Sequence, residues 1–420
     1  LETEHDLKAS VNPPFLEKAL NCSRRKSLLQ FFYCTFTTYI IKTITDSTII
    51  KAGGMWMNRI VQEMIDWIES HLLEGFSLEH LGKDMGYSPY YCSFKFHQTT
   101  GMTIKKYRSL RKIYLASIAL KDPQEKIIDI AFHYGFSSQE SFSRAFKRYF
   151  GISPNDYRKS PQPLQTFVKL KLQDDGGWFT MDISQKLKIE ALQEKINAQY
   201  DREILNVLNG QMMYEEFAKQ QLMGNSDYVP FNEAMCANPT TSPIFSEEFN
   251  KLRATGHQVA LQEYEQVTLN PLKPLLTNDY QCIVLWFGDD MFCQMNLLTV
   301  LAFLEQQKYQ GKVYYYMVKE MTYDVEETEI ELGPYGEVYQ EVLMHHRLPK
   351  TTLIPVMYQG IQLYFNYLKE ENEITTYIKK HLNLSQNDLL KQLFSLFPHY
   401  GLGDIQYIKI IEKLKREYSE

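Results

Sequence analysis

The chain has 420 residues, 44% of them apolar, and a formal net charge of −6 at pH 7. That length predicts two or three domains with a sizeable core. Six cysteines without a C-x-x-C pair, and no histidine cluster at zinc spacing, argue against disulfide staples and metal ligands, and no run has the length of a membrane span. No G-x-G-x-x-G and no phosphate-loop Lys is present to support a dinucleotide or ATP cofactor. The cysteines read as buried thiols in a reducing cytoplasm. Charge divides unevenly along the chain. Residues 57–160 hold 15 Lys/Arg against 11 Asp/Glu, whereas residues 161–420 hold 23 against 35. A basic segment suits contact with phosphates, and the acidic remainder does not.

Residues 1–56 read poorly as a domain. Ser23-Arg24-Arg25-Lys26 and the apolar run after it resemble an export signal placed internally. Lys51-Ala52-Gly53-Gly54 can be encoded by a ribosome-binding tract just before Met55 and Met57. The expectation is a misassigned start, with a disordered arm as the alternative.

From residue 77 the pattern becomes helix, tight turn, helix. Ser77 caps a helix carrying Leu78, Leu81 and Met85, Gly86 makes the turn, and Ser88-Pro89 opens a second helix ending at Gly101. Residues 103–120 form one amphipathic helix. The plan then repeats more clearly. Ile127, Ile130 and Ala131 mark a helix face, Gly135 supplies the turn, and Ser137 or Ser138 caps a helix striped with Phe142, Ala145, Phe146 and Tyr149. Gln139, Glu140, Ser143, Arg144 and Lys147 point the other way, and amide, carboxylate and guanidinium groups there are the types that read base edges. With its own caps, turns and stripes, residues 57–160 are expected to fold alone.

These residues resemble the DNA-binding domain of the AraC/XylS family of bacterial transcription regulators. The resemblance is carried by Ile130-Ala131, Gly135-Phe136, 141–147 (S-F-S-R-A-F-K), Phe150-Gly151, Ser153-Pro154 and Tyr157-Arg158. It covers about a quarter of the chain and implies two reading helices in successive major grooves. It also implies base contacts from Tyr90, Ser93 and Phe94 in the first unit and from Gln139, Glu140, Ser143 and Arg144 in the second. Phe94 departs from the polar or basic residue frequent at its position. It either touches a thymine methyl or belongs to the core.

Residues 161–203 read as a hairpin and helical linker. Ser160-Pro161-Gln162-Pro163 opens it, residues 165–173 alternate as a strand, Gly176-Gly177 turns the chain back, and residues 184–200 form a charge-laced helix suited to a spacer or dimer contact. Residues 204–320 alternate apolar runs with helices. Strands are expected at 204–208, 228–231, 282–287 and 312–318, with helices at 212–221, 246–255, 258–267 and 292–306. That order implies a parallel sheet covered on both faces. Residues 321–420 read as mainly helical, with runs at 335–345, 354–369, 374–381 and 404–418. Residues 204–318 also resemble a bacterial domain family of unknown function, through Asn209-Gly210, Leu285-Trp286-Phe287, Asp290 and 292–298. Gly288-Asp289 stands where that family has a Glu-His type pair.

Ligands of such sheets bind beyond the carboxyl ends of the strands. Asn209, Glu233, Asp289 and Asp290 each follow a strand, and with Arg253 they form a candidate effector crevice. Asn and Asp are equally the commonest turn and cap residues. The expected architecture is a multidomain chain: an all-α double helix-turn-helix domain, then an α/β parallel-sheet domain with a helical C-terminal region. The expected function is sequence-specific transcription regulation in the cytoplasm, not catalysis. The expected partners are double-stranded DNA, a small-molecule effector, a second copy of the chain and, for an activator, RNA polymerase. The alternative is an enzyme in which Asp289 and Asp290 hold a divalent metal for phosphoester chemistry.

Overall fold

The computed structural model describes residues 48–172, 183–277, 279–319 and 324–417. The expectations for residues 1–47 and for the hairpin return at 176–181 lie outside them. The chain divides into a unit 1–42 and a unit 43–420; everything below concerns the second. Among the described residues no helix is long and apolar enough to cross a membrane.

The first half is helical: α1 (Thr48–Ser70), α2 (Leu78–Met85), α3 (Pro89–Thr100), α4 (Ile104–Ala119), α5 (Ile127–His133), α6 (Gln139–Phe150) and α7 (Pro154–Lys159). Their ends follow ordinary capping chemistry. Ser77, Ser88, Thr103, Ser138 and Ser153 each accept a hydrogen bond from a backbone N–H of the helix they open. α8 (Ile183–Tyr200) leads into β1 (Ile204–Leu208), α9 (Gly210–Lys219), β2 (Asp227–Pro230), α10 (Glu247–His257), α11 (Leu261–Tyr264), α12 (Lys273–Thr277), β3 (Cys282–Gly288), α13 (Met291–Gln306), β4 (Lys312–Val318) and β5 (Val325–Ile330). The tail adds α14 (Tyr335–Tyr339), α15 (Pro355–Tyr367), α16 (Glu373–Lys380), α17 (Gln386–Leu396) and α18 (Asp404–Glu417).

The sheet runs β2-β1-β3-β4-β5. The first four strands are parallel, but β5 joins β4 antiparallel, so the sheet is mixed rather than purely parallel as expected. β5 escapes an apolar reading because it is an edge strand rich in charge. Its Glu326, Glu327 and Glu329 pair with Lys319, Lys195 and Lys312, the kind of charged rim that blocks further strand addition. The central strands alternate between two cores. Leu205, Val207, Ile283, Leu285 and Phe287 face α13, while Ile204, Leu208, Val284 and Trp286 pack with Ile189 and Ile196 of α8 and Phe217 of α9. α8 is thus a cover of the sheet instead of a free spacer.

One further expectation is corrected. Residues 165–172 are not a strand. Their backbone is held by side chains instead: Thr166 N–H donates to Asp289 Oδ2 at 2.7 Å, the Phe167 carbonyl accepts from Arg111, and Gln62 both donates to Leu170 O and accepts from Leu172 N–H. Satisfied that way, the segment has no need of a ladder partner. The two helix pairs belong to different cores. α5 to α7 keep a separate core built on Phe142, Phe146, Phe150 and Tyr157. The first helix pair, by contrast, shares one core with Leu170, Leu172, Tyr377, Phe397 and the α13 face of the sheet.

Candidate nucleic-acid interface

Two helix pairs carry the surface residues of interest. In the first, Leu81, Cys92 and Phe96 are buried. Gly86 turns the chain at φ 72°, where a side chain would be strained, and Tyr87 N–H closes the turn on Gly82 O at 2.9 Å. A Cβ on Gly82 would stand 2.7 Å from Tyr87 O, so the two helices meet at a residue without a side chain. α3 then presents Tyr90, Ser93 and Phe94 outward. Tyr90 is 78% exposed and Phe94 48%. Their rings stack at 6.1 Å, with Lys95 Nζ 5.9 Å from the Phe94 ring. Phe94 is therefore a surface aromatic, and the core alternative for it is set aside.

The second pair repeats the construction. Gly135 sits at φ 76°, Phe136 N–H bonds Ala131 O at 2.9 Å, and Ser138 forms a reciprocal capping box with Ser141. Phe142, Phe146 and Phe150 turn inward on α6. Gln139, Glu140, Arg144 and Lys147 are exposed, with Ser143 half-buried and donating to Gln139 O at 2.8 Å. Arg144 pairs with Glu140 one turn earlier, both largely exposed, so this pairing is weak and exchangeable. The expected base-reading residues thus lie together on one outward face of each helix.

α4 joins the pairs as a fixed strut. Arg111 grips Glu69 of α1 through two bonds, at 2.8 and 2.9 Å, and Tyr107 Oη donates to the same carboxylate at 2.7 Å. Sixteen residues give α4 a length of roughly 24 Å.

Of the residues expected to line an effector crevice, the fold brings Asn209 and Asp290 together beside Cys293. β1 and β3 are neighbours, and β1 and β2 lead away on the other side, so their carboxyl ends form a topological switch point. Asn209 Nδ2 donates to Cys293 Sγ at 2.8 Å, and Asn296 Nδ2 reaches both Asn209 Oδ1 (3.0 Å) and Glu233 O (2.8 Å). Asp290 caps α13 by accepting from Cys293 N–H at 2.8 Å, and Asp289 turns to Thr166. The backbone at Gly401 lies so close that a Cβ there would overlap the Asp290 carboxylate. Burial, with the neighbouring Asp289 charge, pushes the Asp290 carboxyl up to about 6.

Glu233 and Arg253 are wholly buried together. The guanidinium donates to Glu233 Oε1 and Oε2 at 3.0 and 2.6 Å and to the carbonyls of Ala234, Ala237, Asn238 and Pro239. His257 and Tyr264 complete the carboxylate's shell. Burial alone would raise the Glu233 carboxyl, but the Arg253 and His257 charges hold it well below the usual range. Glu233 and Arg253 thus form a closed internal ion pair. Asp289 and Asp290 point to different partners, and among the described residues no three His, Cys, Asp or Glu side chains gather to hold a metal ion. Residue spacing did not signal Cys293 and Asn296, which stitch the strand ends together; they lie on a helix buried on nearly all sides, without the periodicity that marks one face.

A family model described as "Helix-turn-helix domain" matches residues 81–160. The regulatory protein SoxS of Salmonella typhimurium is 36% identical over 100 residues, 24% of this chain and 94% of that protein. The right origin-binding protein of Escherichia coli is 36% identical over 103 residues, 24% of this chain but 36% of its own length. Among solved structures, the DNA-binding domain of AdpA in complex with a target DNA is 25% identical over 24% of this chain and 90% of that chain, with a TM-score of 0.23. The relatives and the solved structure each match about a quarter of the chain, and the family model about a fifth. Residues 81–160 are accordingly a helix-turn-helix domain of the AraC/XylS type, the DNA-binding segment of a transcription regulator.

Proposed function

We propose that the chain is a sequence-specific DNA-binding regulator whose α3 and α6 enter successive major grooves on one face of a duplex. The observation that carries this reading is the outward face of α6: Gln139, Glu140, Arg144 and Lys147 exposed over a phenylalanine core. Gln139, Glu140, Ser143 and Arg144 would read base edges, and Lys147 a phosphate. On α3, the stacked Tyr90 and Phe94 offer apolar surface to thymine methyls, with Ser93 beside them. The strut α4, about 24 Å long, suits reading helices one DNA turn of roughly 34 Å apart.

The region from α8 to α18 serves in this reading as a frame that holds the helix pairs and as an interaction or effector-sensing module. An effector at Asn209 and Asp290 has to displace the segment around Gly401 first. A second copy of the chain and RNA polymerase are the protein partners this role implies. Phosphoester chemistry at Asp289-Asp290 draws no support, since one carboxylate is bound to Thr166 N–H and the other caps a helix.

Selection of bound duplexes from a random-sequence pool, followed by footprinting, tests the reading. Arg144→Ala should relax preference at one base pair, worth about 1–3 kcal/mol of discrimination. A variant that selects and protects the wild-type site unchanged would remove α6 from the interface.

A further inference from the structure

The acidic C-terminal region contains one conspicuous exception. Residues 161–420 hold 35 Asp/Glu, yet none falls between His345 and Lys369. At the start of this stretch the chain leaves a helical turn and runs irregularly as His345-His346-Arg347-Leu348-Pro349-Lys350, with all but Pro349 exposed.

The fold brings the end of this loop, Leu348-Pro349-Lys350, to α6. Gly151, which ends α6 at φ 75°, lies against Tyr358 of α15, whose ring stands 2.8 Å from where a Cβ would be. Next to that contact is an open cleft of about 500 Å³ lined by Arg144, Lys147 and Arg148 from one side and by Lys350 from the other. Four cations line it and no carboxylate does.

We infer that the loop 345–350 is a third DNA contact, gripping backbone phosphates beside the groove entered by α6. This rests on the reading of α6 as a DNA-facing helix. Three physical points favour it. The carboxyl end of a helix carries partial negative charge, so a phosphate can approach there only where cations outweigh it; Lys147, Arg148 and Lys350 supply them. These cations are exposed, not enclosed, so a small anion would remain largely hydrated, whereas a polyanion gains by releasing its counterions. Finally, the loop leaves Gln139 and Glu140 exposed at the other end of α6, so it borders the reading surface without covering it. The C-terminal region would thereby report its own position directly to the DNA.

The test uses the full chain and a fluorescein-labelled random-sequence duplex about 40 base pairs long, with affinity followed by anisotropy across a salt series. Wild type, Lys147→Ala and the double variant Arg347→Ala/Lys350→Ala are compared after their melting curves are shown to coincide. The double variant should flatten the dependence of log affinity on log salt by about 1.8, two phosphates at about 0.9 each. An unchanged slope in the double variant, with a reduced one in Lys147→Ala, overturns the loop contact and leaves α6 in place. A wild-type chain that ignores duplex DNA overturns both. Inorganic pyrophosphate supplies the other arm: saturable heat on titration, lost in Lys350→Ala without a change in salt slope, would make the cleft a small-anion site and overturn the proposal.

Discussion

Asp290 should be an electrostatic liability at neutral pH, and Asp290→Asn should stabilise the protein there. The carboxylate is 5% exposed, capped on one side by Cys293 N–H and closed on the other by the backbone at Gly401. Its folded value of about 6 lies above the ordinary 3.8. A raised value means that the folded state holds the proton more tightly than the unfolded chain. The contribution to stability is therefore fully present below pH 3.8 and is lost as pH rises through about 6. Two units correspond to roughly 3 kcal/mol. Asparagine keeps the oxygen that caps α13 and removes the titration. Urea unfolding of wild type and Asp290→Asn at a series of pH values reads the effect of this carboxylate together with its interaction with Asp289, because distant groups cancel in the difference. The variant should be more stable by about 2–3 kcal/mol at pH 8, with the gap closing toward pH 4. A variant that is less stable than wild type at pH 8, or a gap that does not change with pH, would refute the reasoning. The charge would then be compensated by a group other than those described.

Glu233→Gln should destabilise by about 3–5 kcal/mol, since it leaves the Arg253 charge buried without its counter-charge, as thermal or urea unfolding will read. Losing stability while a DNA response persists would mark the pair as structural. Gly151→Ala should cost about 1–2 kcal/mol for the left-handed backbone and more for the Tyr358 contact; adding Tyr358→Ala should recover only the second part in a double-mutant cycle. Residues 57–160 in isolation should retain slow amide exchange in α5 to α7 but exchange fast in α2 and α3. The first pair loses Leu170, Leu172, Tyr377 and Phe397 from its core, whereas the second keeps its own phenylalanines. Equal protection of both pairs would show that the first pair does not depend on the rest of the chain.

Local chemistry was legible in the residues themselves. Ser88-Pro89, Ser138 and Ser153-Pro154 announce helix starts because their side-chain oxygens cap and proline tolerates the first turn. Gly86, Gly135 and Gly151 announce turns because they take positive φ without penalty. The phenylalanine spacing in 142–150 implies one buried and one exposed face of α6, which is most of what the candidate interface needs. The parallel strands β1, β3 and β4 are equally visible as short apolar runs, since a strand buried on both faces has little room for polar residues.

What tertiary structure decided was pairing over long separations, which periodicity does not encode. β5 is strongly polar, and its antiparallel pairing with β4, flanked by lysine partners on β4, α8 and Lys319, makes it the edge strand. Residues 165–172 alternate like a strand, yet Gln62, Arg111 and Asp289 hold their backbone from more than 50 residues away. Glu233 and Arg253 read as crevice groups until folding encloses them together. Gly401 against Asp290, and the basic loop at 345–350 against α6, join segments that no local pattern connects. By itself the sequence determined the capped helices from α2 to α7 and which faces they bury. The folded chain decided which polar groups remain for solvent, because only packing sets which partner reaches each of them first.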